Sequence, residues 1–353
     1  MAPADLYRTA GALLAGLLFS TLLGSPALAV EIKGAMPDFS GFWARTSLGF
    51  ESPASGHGPL ANLNHRANGA SNLSLLAGDD KDPILKPEAA EMVKKLAEWG
   101  RRNEAFPQPS NQCLPYPPPY IASNNQEIEL LQLKDRVLIL NMFDHQIRRV
   151  QLNAQHPANL MPSWYGDSIG HYEGDTLVVD TVGIKTGPYP MTDMMGTPFS
   201  NKLHVVERFR LVDAATAKSF ADRGEAENGR VAGENGDGVE IDTAHQDKGL
   251  QLVVTVEDPG MLNGSWSGTV TYRRPLLDWA ESVCAENTSE YYAGKETAIP
   301  IATKPDFMSA DPSRRATGRR ASTPRSSRPR GGTRPVRTAI RAATGGSRRK
   351  GTR

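Results

Sequence analysis

From residue 127 onward, apolar and polar side chains alternate in short runs. Residues 127–133, 136–143 and 146–152 each alternate with period two, the spacing that sends successive side chains to opposite faces of a strand. A hairpin follows at 164–182, where Gly174-Asp175 separates two runs of β-formers. Gly takes the positive φ that a two-residue loop needs at its first position. In that register Tyr172, Leu177, Val179 and Thr181 share one face, and Asp167, His171, Glu173 and Asp180 share the other. Residues 204–212, 250–256 and 265–273 add further strands, and 38–43 supplies a short one near the start. Strands linked mostly by hairpins predict a mainly β fold, an antiparallel meander closing into a barrel or a strongly curved sheet. Closure removes the exposed edges that invite mispairing.

Other segments interrupt the alternation. Residues 47–78 are rich in Gly, Asn, Ser and Pro and read as a long loop. Pro87 then opens a helix through Ala105, with Glu88 and Glu91 at its positive end and Met92, Leu96 and Trp99 on one stripe beside Val93. The stretch 106–120 holds six prolines and cannot be regular structure. A polar, Gly-rich loop is expected at 222–247, and a closing helix at 276–292.

The N-terminus changes the setting. Arg8, an apolar run at 11–23 and the small-x-small step Ala27-Leu28-Ala29 form an export signal, so a mature chain begins near Val30 in the periplasm or outside the cell. No later run reaches the ~20 apolar residues of a membrane helix. Export favours a disulfide between the two cysteines, Cys113 and Cys284. The net charge of +1 hides an asymmetry: residues 30–309 carry 25 basic against 37 acidic side chains, whereas 310–353 carry 14 against one. Residues 30–309 read as one domain. The tail, with almost no apolar surface to bury, reads as disordered. Contact with a polyanion is one use for such a tail, although an exported destination argues against nucleic acid. A dispensable extension is the simpler reading.

Alternation also picks out candidate chemistry. Arg148 shares a strand face with Val150 and Leu152, and Glu207 shares one with Val205, Phe209 and Leu211. Charges sent into an apolar layer are costly unless paired, so Arg148 and Glu207 are expected to meet, either as a structural pair or as an anchor in a ligand cavity. His145 follows Asp144 in a turn, and His171 is a diagonal neighbour of Asp180. Each couple suits proton shuttling near neutral pH, and each is also ordinary turn or surface chemistry. Asp167, Glu173 and Trp164 complete a possible polar and aromatic rim. No phosphate-cradling loop, serine elbow or H-E-x-x-H is present, and neither cysteine has a metal-ligand neighbour, so no cofactor or metal is expected.

The runs P-S-W-Y-G-D-S-I-G-H-Y-E-G-D-T-L-V-V-D-T, L-H-V-V-E-R-F and T-V-E-D-P resemble a family of exported bacterial β-rich proteins of unknown function. The resemblance spans roughly residues 37–292 and implies no catalytic residue. Gly41-Phe42-Trp43 is similar to the G-x-W opening of lipocalin-like barrels, which implies a central cavity. Three functions are then open. The first is a barrel binding a small, partly apolar molecule. The second is a cofactor-independent lyase, isomerase or hydrolase using a His/carboxylate couple in the same cavity. The third is an envelope interaction protein.

Overall fold

The computed structural model describes residues 36–73, 75–102, 107–124, 127–230 and 248–276, and the backbone alone at 289–292 and 295–298. The expected export signal, the basic tail and Cys284 lie outside the described residues.

Nine strands form one sheet in sequence order: β1 (Gly41–Trp43), β2 (Ile128–Gln132), β3 (Arg136–Asn141), β4 (Gln146–Leu152), β5 (Asp167–Glu173), β6 (Thr176–Val182), β7 (His204–Val212), β8 (Gly249–Glu257) and β9 (Trp266–Tyr272). The sheet curls until its ends meet. Ala44, just past β1, exchanges both backbone hydrogen bonds with Arg273, just past β9, at 2.8 and 2.7 Å. Glu51 pairs with Thr269 further along the same edge. Arg274 then latches the join, its guanidinium 3.8 Å from the Trp43 ring centroid and donating to the Phe42 carbonyl.

The expected barrel is present, with one departure from the antiparallel meander. β4 and β5 run parallel and pair only through Val150↔Ser168, Gln151↔Ile169 and Leu152↔Gly170. The chain between them is a crossover, not a hairpin. The β5–β6 hairpin has the expected register, with Gly174 at φ +63° opening its loop.

Two helices flank the sheet. α1 (Pro87–Arg101) begins at the predicted proline, but the side it buries is Ala89, Val93, Ala97 and Gly100. Leu96 and Trp99 are only partly buried beside it, because small side chains let the helix approach its support closely. α2 (Ala214–Asn228) runs through 222–228 of the loop expected at 222–247, whose residues 231–247 lie outside the described residues. Its N-cap is Asp213, whose carboxylate accepts from the Thr216 N–H at 2.8 Å. α2 packs on β8 and β9 through Ala217 and Gly224, and a side chain at Gly224 would press on Ser47 and Glu51. Of the closing helix expected at 276–292, residues 277–288 lie outside the described residues, and its last four, Ser289–Tyr292, are instead a strand (β10) paired antiparallel with Lys295–Ala298 (β11). Cys113 ends the short 3-10 turn Pro109–Gln112 in a left-handed conformation and packs against the core. No helix among the described residues is long and apolar enough to cross a membrane.

Inward-facing residues fill the barrel. Leu130, Leu177, Phe209, Leu250, Trp266 and Tyr272 are all essentially inaccessible. Burying each large apolar side chain contributes roughly 1.5–3 kcal/mol. Against the inner face of the sheet lies a space of about 20 Å³, room for about one water molecule. The aromatic side chains of Tyr116, Tyr165, Phe209 and Tyr272 line it and narrow the interior that the lipocalin-like opening implies.

Candidate functional site at the barrel seam

The short parallel pairing of β4 and β5 shapes the site. Ahead of Val150 the two strands diverge, and the gap is a groove of about 300 Å³ lined by Ile147, Arg148, Arg149, Tyr165 and Asp167 among others. Beneath it lies the small internal space, bounded on its polar side by Asn141, Gln146, Arg148, Tyr165, Glu207 and Tyr272. Arg148 and Tyr165 border both, so the groove and the internal space are neighbours on either side of these two residues.

Arg148 and Glu207 make the pair their strand faces predict. Two nitrogens of the guanidinium donate to the two carboxylate oxygens at 2.5 and 2.9 Å, and both side chains are buried. Fork-on-fork pairing satisfies both groups at once, which makes the burial of two charges tolerable. Gln146, 5 % exposed, is held by the Tyr116 N–H, which donates to Gln146 Oε1 at 3.2 Å. Its Nε2 is buried and has no hydrogen-bond partner among the described residues. Burial pushes the Tyr165 hydroxyl up to about 12, with the nearby Asp144 charge adding to it. Burial likewise holds Tyr272 at about 12. Both are neutral O–H donors at neutral pH.

A second polar arrangement runs over the outside of the hairpin. His156, on the crossover between β4 and β5, bridges Asp167 at 2.6 Å and Asp180 at 3.0 Å through its two ring nitrogens. Asp180 also meets His204 at 3.0 Å, and His204 lies 3.6 Å from Glu257. Desolvation alone would lower the His156 imidazole, but its hydrogen bonds to Asp167 and Asp180 outweigh that and raise it. For Asp180 burial works upward, and the bonds to His204 and His156 bring its carboxyl below the ordinary value.

The other candidate residues are dispersed. His171 is exposed and meets Glu173 at 3.0 Å, and no hydrogen bond joins it to Asp180. Asp180 has gone to two histidines that were not in either expected couple. His145 sits exposed in the β3–β4 turn with φ +48°, beside Asp144 at φ +52°, so tight-turn geometry accounts for both residue types. Trp164 is half-buried, with the Lys185 ammonium 5.0 Å from its ring centroid. Among the described residues no three His, Cys, Asp or Glu side chains converge with metal-holding geometry.

His204 was legible as the outward side chain of β7. His156 lies in an aperiodic loop with no sequence signal beyond its residue type. Gln146 could have been found, since alternation in β4 places it on the same inward face as Arg148.

Fold and site together define a filled β-barrel with one open seam, an internal ion pair behind the seam and a histidine-carboxylate chain across its outer lip. Comparison with protein-family models, curated proteins and solved structures finds no match.

Proposed function

We propose that this protein binds a small, partly apolar molecule at the β4–β5 seam, its polar end directed toward Arg148 and Gln146 and its body lying in the groove. The observation that carries the reading is the adjacency of two spaces. A groove of about 300 Å³ shares two lining residues, Arg148 and Tyr165, with the internal space that borders the buried charge pair and the buried amide. A barrel built only for stability gains nothing from an opening over its internal charges, since a buried pair is weak support for stability. The export signal and the motif resemblance support a periplasmic or secreted setting for this role.

Native mass spectrometry of the full chain tests it. A small molecule bound one-to-one is expected, and it should be lost in Tyr165→Ala, which widens the shared opening. A bare protein that also shows no thermal shift across a broad library of small molecules would overturn the reading.

A second reading has its own support. Asp167 lines the groove and is hydrogen-bonded to His156, so a proton has a path from the groove through His156 to Asp180. That suits a lyase, isomerase or hydrolase needing one acid–base group. Under this reading His156→Gln keeps the bound molecule and stops its conversion.

A further inference from the structure

The polar wall behind the seam has an uneven stock of hydrogen-bonding groups. Gln146 has a fixed orientation: its Oε1 accepts from the Tyr116 N–H, so turning the amide over would set N–H against N–H. Gln146 borders the internal space, and its other end, the donor Nε2, is buried and unpartnered among the described residues. Leaving such a group buried without an acceptor is unfavourable, because its lost hydration is not replaced. The charge nearby is already balanced. Both terminal nitrogens of Arg148 are engaged by the two oxygens of Glu207, so the pair presents no net charge to a newcomer. The two tyrosine hydroxyls, Tyr165 and Tyr272, add neutral groups able to donate.

Resting on the seam-binding reading above, we infer that the ligand is a neutral molecule bearing a carbonyl oxygen, and that this oxygen accepts a hydrogen bond from Gln146 Nε2. An internal space of about 20 Å³ admits a single polar atom and little more, so the rest of the molecule stays in the groove. A carboxylate is disfavoured, because its charge would be buried beside Arg148, whose guanidinium is already paired with Glu207. A pure hydrocarbon is disfavoured because it leaves the Gln146 donor unmet.

Three probes with one apolar body and different heads test this: acetophenone, benzoate and ethylbenzene. Each is titrated into the ¹⁵N-labelled full chain while the Gln146 side-chain amide and the backbone amides of Arg148 and Tyr165 are followed by NMR. The expected result is that acetophenone shifts all three sets of signals and binds about tenfold or more tightly than the other two. If benzoate binds as well or better and moves Arg148 and Tyr165 but not Gln146, the carbonyl inference falls and seam binding stands. If no probe moves any of these signals, water meets the Gln146 donor and both inferences fall. Gln146→Met, which cannot donate, should lose the preference for acetophenone over ethylbenzene. If that variant does not fold, the titration of the unmodified protein still decides.

Discussion

Arg148 of β4 and Glu207 of β7 meet across the barrel interior, although β5 and β6 lie between their strands in the sheet. Three strand spacings measure about 14 Å along a flat sheet, too far for the two side chains to lie side by side. Their contact therefore depends on curvature and helps hold the rolled state together.

Breaking this pair from one side leaves a buried charge alone, which costs about 3–5 kcal/mol. Glu207→Gln and Arg148→Met are each expected to lower stability by that order. The double variant should recover much of the loss, because neither charge then remains. Urea unfolding of all four proteins checks this, and near-additive losses in the cycle would show that the residues are not coupled.

His156 gives a pH-dependent contribution of definite sign. Its folded value is raised by Asp167 and Asp180, the second of which it shares with His204. The stability it provides is fully present below the ordinary histidine value of 6.5 and is lost as pH rises through the raised one. His156→Ala should remove that part of the stability profile. In NMR titrations the His156 ring should fall back toward its ordinary value in Asp167→Asn. An unchanged midpoint would mean that the bridge does not form in solution.

Glu51 carries a larger effect. Burial between β9 and α2 pushes its carboxyl from 4.5 to about 7, although the charge of Arg45 pulls the other way. The folded state therefore holds a proton that the unfolded state releases. The part of stability that Glu51 governs should be greatest below pH 4.5 and fall by on the order of 3 kcal/mol as pH rises to about 7. Glu51→Gln should flatten that slope. Thermal melts of both proteins between pH 4 and pH 8 measure it, and parallel curves would contradict the assignment.

The two cysteines remain paired as a proposal. A Cys113–Cys284 bridge closes a loop long enough to contribute about 4–5 kcal/mol in the chain-entropy model. If the chain is exported, as its N-terminal sequence leads us to propose, it should present no reactive thiol after unfolding without reductant, and reduction should lower its melting temperature. Labelling that finds two thiols would rule the bridge out.

Period-two alternation made most of the barrel legible, and it exposed Arg148 and Glu207 because a charge within an apolar strand face breaks the pattern. The same rule was silent where side chains come from loops. His156 has no periodic neighbours to set it apart, and only the fold carries it to Asp167 and Asp180. α2 was missed because Ala217 and Gly224, its buried contacts, are small and give almost no apolar stripe. Its Asp213 cap was the readable sign. Two prolines, Pro157 and Pro162, sit in a connection too long for a tight hairpin, and they were the only hint that β4 and β5 would not pair as neighbours in a meander.

Strand number explains why that connection exists. Walking round a closed ring, direction reverses at every antiparallel junction, and the walker must return to the first strand facing the original way. The count of reversals must then be even. Nine strands joined in a ring have an odd number of junctions, and β9 returns to the β1 end antiparallel through Ala44 and Arg273. One junction must be parallel, and here it is β4–β5. A parallel neighbour obliges the chain to travel back along the barrel before starting again. That return carries His156 over the hairpin and sets Tyr165 at the opening. The groove and its histidine thus follow from parity: adding or removing one strand would let the ring close without either.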